Sequence, residues 1–183
     1  MTDIRPRLAV DMDEVIADAF SAQRLWYQRT YGYEWDDTSL EGHSLKQLAD
    51  PEHAAAMENL LHQGDFFADL EVMPGAQEGL RQLSEDFDIF ITTAAMEYPA
   101  SCAPKFGWLR RNFPFISPMN IVFCGDKSIL AADFMIDDNA RHFQRFQGQG
   151  ILFSALHNMN TIWSPRVENW KDAVDLMRQL KEG

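Results

Sequence analysis

Leu8-Ala9-Val10-Asp11-Met12-Asp13-Glu14-Val15-Ile16-Ala17-Asp18 is the stretch on which the reading of this chain turns. Residues 8–10 have the length and β-branched content of a buried strand, and they deliver two carboxylates, spaced i and i+2, at its carboxyl end. Two acids where a strand leaves a sheet repel one another unless a cation stands between them. Ligands of open α/β sheets bind outside the carboxyl ends of the strands, so a hard cation at that edge would offset the repulsion between Asp11 and Asp13. The first expectation is a site for Mg²⁺ and a phosphate.

Working outward, residues 17–31 put Ala19, Leu25 and Trp26 on a helical face, with Gly32 placed to end it. Residues 33–70 carry no convincing strand. Asp50-Pro51-Glu52 is a helix start with an acidic cap and proline in the first turn, and Ala54, Met57, Leu60 and Leu61 keep helical spacing up to Gly64. This predicts a helical insertion after the first strand. Pro74-Gly75 then opens a helix with Ala76, Leu80 and Leu83 on one face, and residues 87–91 form a strand ending in Thr92-Thr93.

Trp108-Leu109 followed by Pro114 marks another helix and its stop, and residues 121–123 a third strand. Residues 127–132 read as a short helix, residues 134–136 as a fourth strand ending in Asp137-Asp138, and residues 151–153 as a fifth. From Asn169, a capping residue, Trp170, Val174, Met177 and Leu180 form a stripe that should pack on the sheet. Short apolar strands alternating with amphipathic helices predict an α/β fold: a Rossmann-like, doubly wound parallel sheet. Its core would comprise residues 1–18 and 71–183, with residues 19–70 as a small helical cap.

Composition narrows the function. The chain has 183 residues, 46% of them hydrophobic, enough for one core and a small appendage. Sixteen basic against 28 acidic residues give a formal charge of −12, which opposes binding to nucleic-acid polymers or anionic membrane surfaces. A small phosphorylated substrate is compatible with that sign, because local cations and a metal act at short range. Cys102 and Cys124 fall in no zinc-like spacing and read as reduced structural thiols. No apolar segment follows the charged residues 1–7, and no apolar run approaches the roughly 18 residues of a membrane span. A soluble cytoplasmic protein is expected.

The D-x-D pair gains weight from what else leaves the sheet on its side. Thr93 ends the second strand, Lys105 and Lys127 follow, and Asp137-Asp138 end the fourth. A nucleophile, a hydroxyl, two cations and further acids would thus share one edge. The ordered set Asp11-x-Asp13, Thr93, Lys127 and Asp137-Asp138 resembles the haloacid dehalogenase superfamily of phosphotransferases. It is most similar to the 5′(3′)-deoxyribonucleotidases, through Asp11-Met12-Asp13 to Ala17-Asp18, Phe66-Phe67 with Pro74-Gly75-Ala76, and Lys105-Phe106-x-Trp108. Asp126-Lys127, Ile136-Asp137-Asp138, Leu152-Phe153 with His157-Asn158, and Trp170-Lys171 extend the likeness.

The resemblance implies a Mg²⁺-dependent phosphomonoesterase acting on nucleoside monophosphates. Asp11 would be the nucleophile and Asp13 the general acid and base. The metal would be held by Asp11, the Asp13 carbonyl and Asp138, with Asp137 behind, and a helix cap is the alternative for the terminal pair. The Met12 and Asp13 amides, Thr93, Lys105 and Lys127 would receive phosphoryl oxygens. Ala94 stands where the animal enzymes often have serine, so one phosphate hydrogen bond would fall to neighbouring amides. Phe20, Trp35, Phe66 and Phe67 are candidates for a slot in which a base stacks, ordinary packing being the alternative. His157 reads as a hydrogen-bonded loop residue, and the family suggests a homodimer.

Two other readings compete. A sugar phosphate or another small phosphomonoester would keep the chemistry and change the cap's task. A phospho-receiver module has similar strand-end groups, but there an early acid pair precedes the phosphoacceptor aspartate, threonine and lysine, whereas here the acid pair comes last.

Overall fold

The computed structural model describes residues 5–182; residues 1–4 and 183, which the expected core includes, lie outside the described residues. In chain order the elements are β1 (Arg7–Asp11), α1 (Ala19–Tyr31), α2 (Asp37–Leu40), α3 (Leu45–Leu48), α4 (Pro51–Gln63), α5 (Ala76–Leu83) and β2 (Asp88–Thr93). Then come α6 (Cys102–Asn112), β3 (Ile121–Phe123), β4 (Phe134–Asp137), β5 (Gln149–Phe153), β6 (Arg166–Val167) and α7 (Trp170–Glu182), with single 3₁₀ turns between. The strands form one sheet in the order β3-β2-β1-β4-β5-β6, and every pairing is parallel.

That order contains one reversal, between β1 and β4. Val10 lies opposite Ile136, so Asp11 and Asp137 leave the sheet side by side; across the other edge Asp11 pairs with Thr92. Crevices at such reversals are where open α/β sheets bind ligands.

Strand alternation divides the core. Leu8, Val10, Ile91 and Ile136 join a large cluster with Leu80, Trp108, Trp170 and Met177, whereas Ala9, Met135 and Leu152 share a smaller one with Phe143 and Phe146. The helices α5, α6 and α7 thus cover one face. Gly79 lets α5 and α7 approach closely, since a Cβ there would sit 2.7 Å from Trp170 Cε3. The Trp170 and Trp108 indoles donate to the Val15 and Leu70 carbonyls at 2.8 and 2.7 Å, so neither buried N–H is left unpaired.

Three local expectations are corrected. The first helix begins at Ala19, not residue 17, because Ala17 is held in bridges to Asp13 and Val72 and Asp18 serves as cap, accepting from the Ser21 amide at 2.9 Å. Residues 127–132 form only a 3₁₀ turn, Lys127–Ile129: Leu130 is extended, and Lys127 is drawn inward by two carboxylates. A sixth strand, β6, was not expected. Its two residues pair with Leu152 and Phe153, too short a run to leave a periodic signal.

The helical segment between β1 and α5 has its own cluster of Tyr27, Trp35, Leu40, Leu45 and Met57. Several hydrogen bonds brace its ends and join it to the sheet region. Asp18 N donates to Glu71 O at 2.9 Å, and Gly42 N to Leu156 O at 2.7 Å. The Tyr98 hydroxyl, after β2, donates to Glu58 of α4 at 3.2 Å, and Lys46 of α3 pairs with the same carboxylate at 2.5 Å. Among the described residues no helix is long and apolar enough to cross a membrane.

Candidate active site

Asp11 ends β1 with 7% of its surface exposed, and Lys127, 1% exposed, donates to it and, at 2.6 Å, to Asp137 Oδ2. A buried ammonium is tolerable only when its charge is met at close range. Burial works against the Lys127 charge, but Asp11 and Asp137 outweigh it and hold its pKa above the usual lysine range. Asp11 carries the opposite perturbation. Burial pushes its carboxyl well above the usual range, Lys127 pulls it back, and Asp137, Asp138 and Asp13 add to the rise. Burial also lifts Asp137 to about 6, against Lys127 and with Asp138.

A second pair lies beside the first. Lys105, from α6 and 2% exposed, donates to Asp13 Oδ2 and, at 3.0 Å, to Thr93 Oγ1 at the end of β2. Its ammonium lies 4.3 Å from the centroid of the Phe67 ring, within cation–π range. The other oxygen, Asp13 Oδ1, is buried and has no hydrogen-bond partner among the described residues.

The loop after β1 is tightly wound. The Ile16 and Ala17 amides both donate to Met12 O at 2.9 Å, and Glu14 N donates to Ala17 O at 2.8 Å. Glu14 adopts φ 61°, a left-handed conformation that is uncommon for a residue with a Cβ. Its Oε1 accepts from Phe20 N at 2.5 Å, which ties the loop to the first turn of α1. Burial, with Asp138 and Asp18, raises the Glu14 carboxyl well above its usual range, while the Phe20 amide opposes the rise.

Carboxylate oxygens of Asp11, Asp137 and Asp138 all lie within 4.8 Å of one another. Four carboxylates here, counting Asp13, face two lysines, and an oxygen-only donor set with surplus negative charge suits a hard divalent cation. The Asp11, Asp137 and Asp138 oxygens therefore fit such an ion. Asp13 is absent from that oxygen cluster, its side chain being turned to Lys105.

Of the residues singled out from sequence, Asp11, Asp13, Thr93, Lys105, Lys127, Asp137 and Asp138 converge on the β1/β4 reversal. Met12 buries its side chain in the core, so only its main chain can serve the site. Ala94 begins the 3₁₀ turn Ala95–Glu97 directly after Thr93. Phe67 adjoins Lys105, with Phe66 edge-on to it at 5.1 Å. Phe20 reaches the loop through its amide, and its ring packs on the cap cluster. Trp35 is not brought to this group: its ring lies 4.3 Å from that of Tyr27, inside the cap.

Two features escape the sequence reading. Glu14 has no special role there, since glutamate is no marker of left-handed backbone. His157, read as an ordinary loop residue, stands with Nε2 3.1 Å from Asp138 Oδ2, and Asn158 donates to the Asp138 carbonyl at 2.7 Å. The signal available was the His157-Asn158 pair itself, in a loop that must return past the metal-side acids.

Comparison with known proteins bears on the family and the fold. Residues 5–182 match the family model described as 5′ nucleotidase, deoxy (pyrimidine), cytosolic type C protein. A protein of Staphylococcus epidermidis provisionally named a 5′(3′)-deoxyribonucleotidase is 40% identical over 178 residues, covering 97% of this chain and 99% of its own. The 5′(3′)-deoxyribonucleotidase of Bacillus subtilis is 35% identical over 167 residues, covering 90% and 94%. A haloacid dehalogenase-like protein of unknown function from Agrobacterium tumefaciens shares the fold at a TM-score of 0.60 and 11% identity, over 97% of this chain and 99% of its own.

Proposed function

This chain belongs to the 5′ nucleotidase, deoxy (pyrimidine), cytosolic type C family and is a phosphoric monoester hydrolase; on that premise we propose that it is a Mg²⁺-dependent nucleotidase. It would release phosphate from deoxyribo- or ribonucleoside monophosphates, in the cytosol that the family description names. The observation that carries this reading is the double pairing at one sheet edge, Asp11 with Lys127 and Asp13 with Lys105, beside Asp138.

Asp11 attacks the phosphorus, forming an aspartyl-phosphate as the ester P–O bond breaks, and Asp13 gives its proton to the departing nucleoside oxygen. Asp13 then takes a proton from water whose oxygen attacks the same phosphorus, which frees Asp11 and restores both acids. Lys127 steadies the buried carboxylate between attacks. Lys105 and Thr93, 3.0 Å apart, offer an ammonium and a hydroxyl to phosphoryl oxygens, with the amides of residues 12, 13 and 94 nearby. Mg²⁺, held by Asp11, Asp138 and the Asp13 carbonyl with Asp137 behind, would neutralise charge between the carboxylate and the phosphate dianion.

Residues 1–18 and 71–183 then act as the catalytic core and residues 19–70 as a cap that screens substrates. Phe67 lies next to Lys105 but is 3% exposed, its ring being given to packing and to the lysine. The test is phosphate release from deoxy- and ribonucleoside monophosphates and sugar phosphates, with Mg²⁺ and with chelator, using Asp11→Asn as the blank. Metal-dependent release confined to nucleotides is expected. Release spread over sugar phosphates would replace the substrate, and activity in Asp11→Asn would remove the nucleophile.

A further inference from the structure

Asp138 is the least supported acid of its cluster. Lys127 pairs with Asp11 and Asp137, and Asp137 Oδ1 also accepts from Asn139 N at 2.9 Å; among the described residues no ion pair joins Lys127 to Asp138. Asp138 is also more exposed than its two neighbours, which are buried. Three carboxylates this close repel one another, and the one nearest water is free to swing away from the others unless something holds it.

The loop after β5 supplies two grips. His157 Nε2 lies 3.1 Å from Asp138 Oδ2, within ion-pair distance of the carboxylate. Asn158, 2% exposed, spends one amide group on two carbonyls: Nδ2 donates to Asp138 O at 2.7 Å and to Phe153 O at 2.8 Å. Its Oδ1 accepts from Ala155 N at 3.1 Å and Arg166 Nη2 at 3.0 Å, and Arg166 also donates to Asn158 O at 2.7 Å. The amide is therefore fully satisfied and cannot rotate without breaking several bonds.

We propose that His157 and Asn158 are positioning residues that clamp Asp138, His157 fixing its carboxylate and Asn158 its main chain. The proposal rests on Asp138 binding the metal. Groups behind metal-binding carboxylates orient them, and losing one typically weakens metal affinity about 10–100-fold. His157 holds Oδ2 and leaves Oδ1 for the ion. Asn158 fixes β4's exit to the end of β5, so the carboxylate starts from a set place.

The experiment is Mg²⁺ titration by calorimetry, with thermal melting of the metal-free protein, on the full chain and on Asp138→Ala, His157→Ala and His157→Gln. His157→Ala should weaken Mg²⁺ binding about 10-fold or more with unchanged melting. His157→Gln, which keeps an N–H donor, should recover most of the affinity. Wild-type affinity in His157→Ala beside a loss in Asp138→Ala overturns the clamp and leaves the metal reading intact. Wild-type affinity in Asp138→Ala overturns the metal reading and the clamp with it. Weak binding in both His157 variants together with lowered melting marks His157 as merely structural and also overturns the clamp.

Discussion

Lys127 and Asp137 meet at 2.6 Å where almost no water reaches either side chain. Removing the cation would leave Asp137 and Asp11 buried and uncompensated. Lys127→Ala should therefore cost about 3–5 kcal/mol in chemical denaturation as well as abolishing turnover. Adding Asp137→Asn should recover part of that loss, because one uncompensated charge disappears. A double variant no more stable than the single would mean that the pair is not energetically coupled.

The left-handed backbone at Glu14 gives a cleaner comparison than its contacts do. Glu14→Ala and Glu14→Gly both lose the bond to the Phe20 amide, but only glycine adopts φ 61° without strain. The glycine variant should be more stable than the alanine variant by about 1 kcal/mol in urea unfolding. Equal stabilities would show that the loop relaxes to another conformation.

Asn158→Ala should behave unlike His157→Ala. It strands the buried Asp138 and Phe153 carbonyls and removes an acceptor from Arg166, each buried group left unpaired costing about 1–3 kcal/mol. Melting temperature and Mg²⁺ affinity should fall together. A metal defect without lowered melting would mean water replaces the amide.

His142 sets a pH dependence of known sign. Burial first, then Lys127 and Arg141, lower its pKa from 6.5 to about 4. Between those values the unfolded chain takes up a proton that the folded one refuses, so this contribution to stability is complete above pH 6.5 and is lost as pH falls toward 4. Asp137, raised to about 6, acts in the opposite direction over an overlapping window. The informative quantity is thus the difference between wild type and His142→Gln in metal-free unfolding, which should grow smaller on acidification. A difference independent of pH would rule out the shift.

Much of the sheet and its reactive edge was legible because the signals are local. Residues 8–10 are apolar because that strand is covered on both faces, and the acids after them follow directly in sequence. Lys105 and Lys127 were legible as cations bound for the same edge, but spacing cannot say that two lysines will be buried. Residues 127–132 misled because Ser-Ile-Leu-Ala-Ala favours a helix, while the pull on Lys127 and the need to enter β4 straighten the chain. Trp35 misled because an aromatic near a junction carries no mark of which side its ring will take. The grip on Asp138 comes from a loop some twenty residues later and was invisible until β4 and β5 were paired.

Bonds from the cap to the sheet region, among them Gly42 to Leu156, Glu58 to Tyr98 and Leu70 to Trp108, join residues far apart in sequence. The bond at Leu156 is the telling one, because the next two residues lie against Asp138: one short loop is shared by the cap and by the acid at the end of β4.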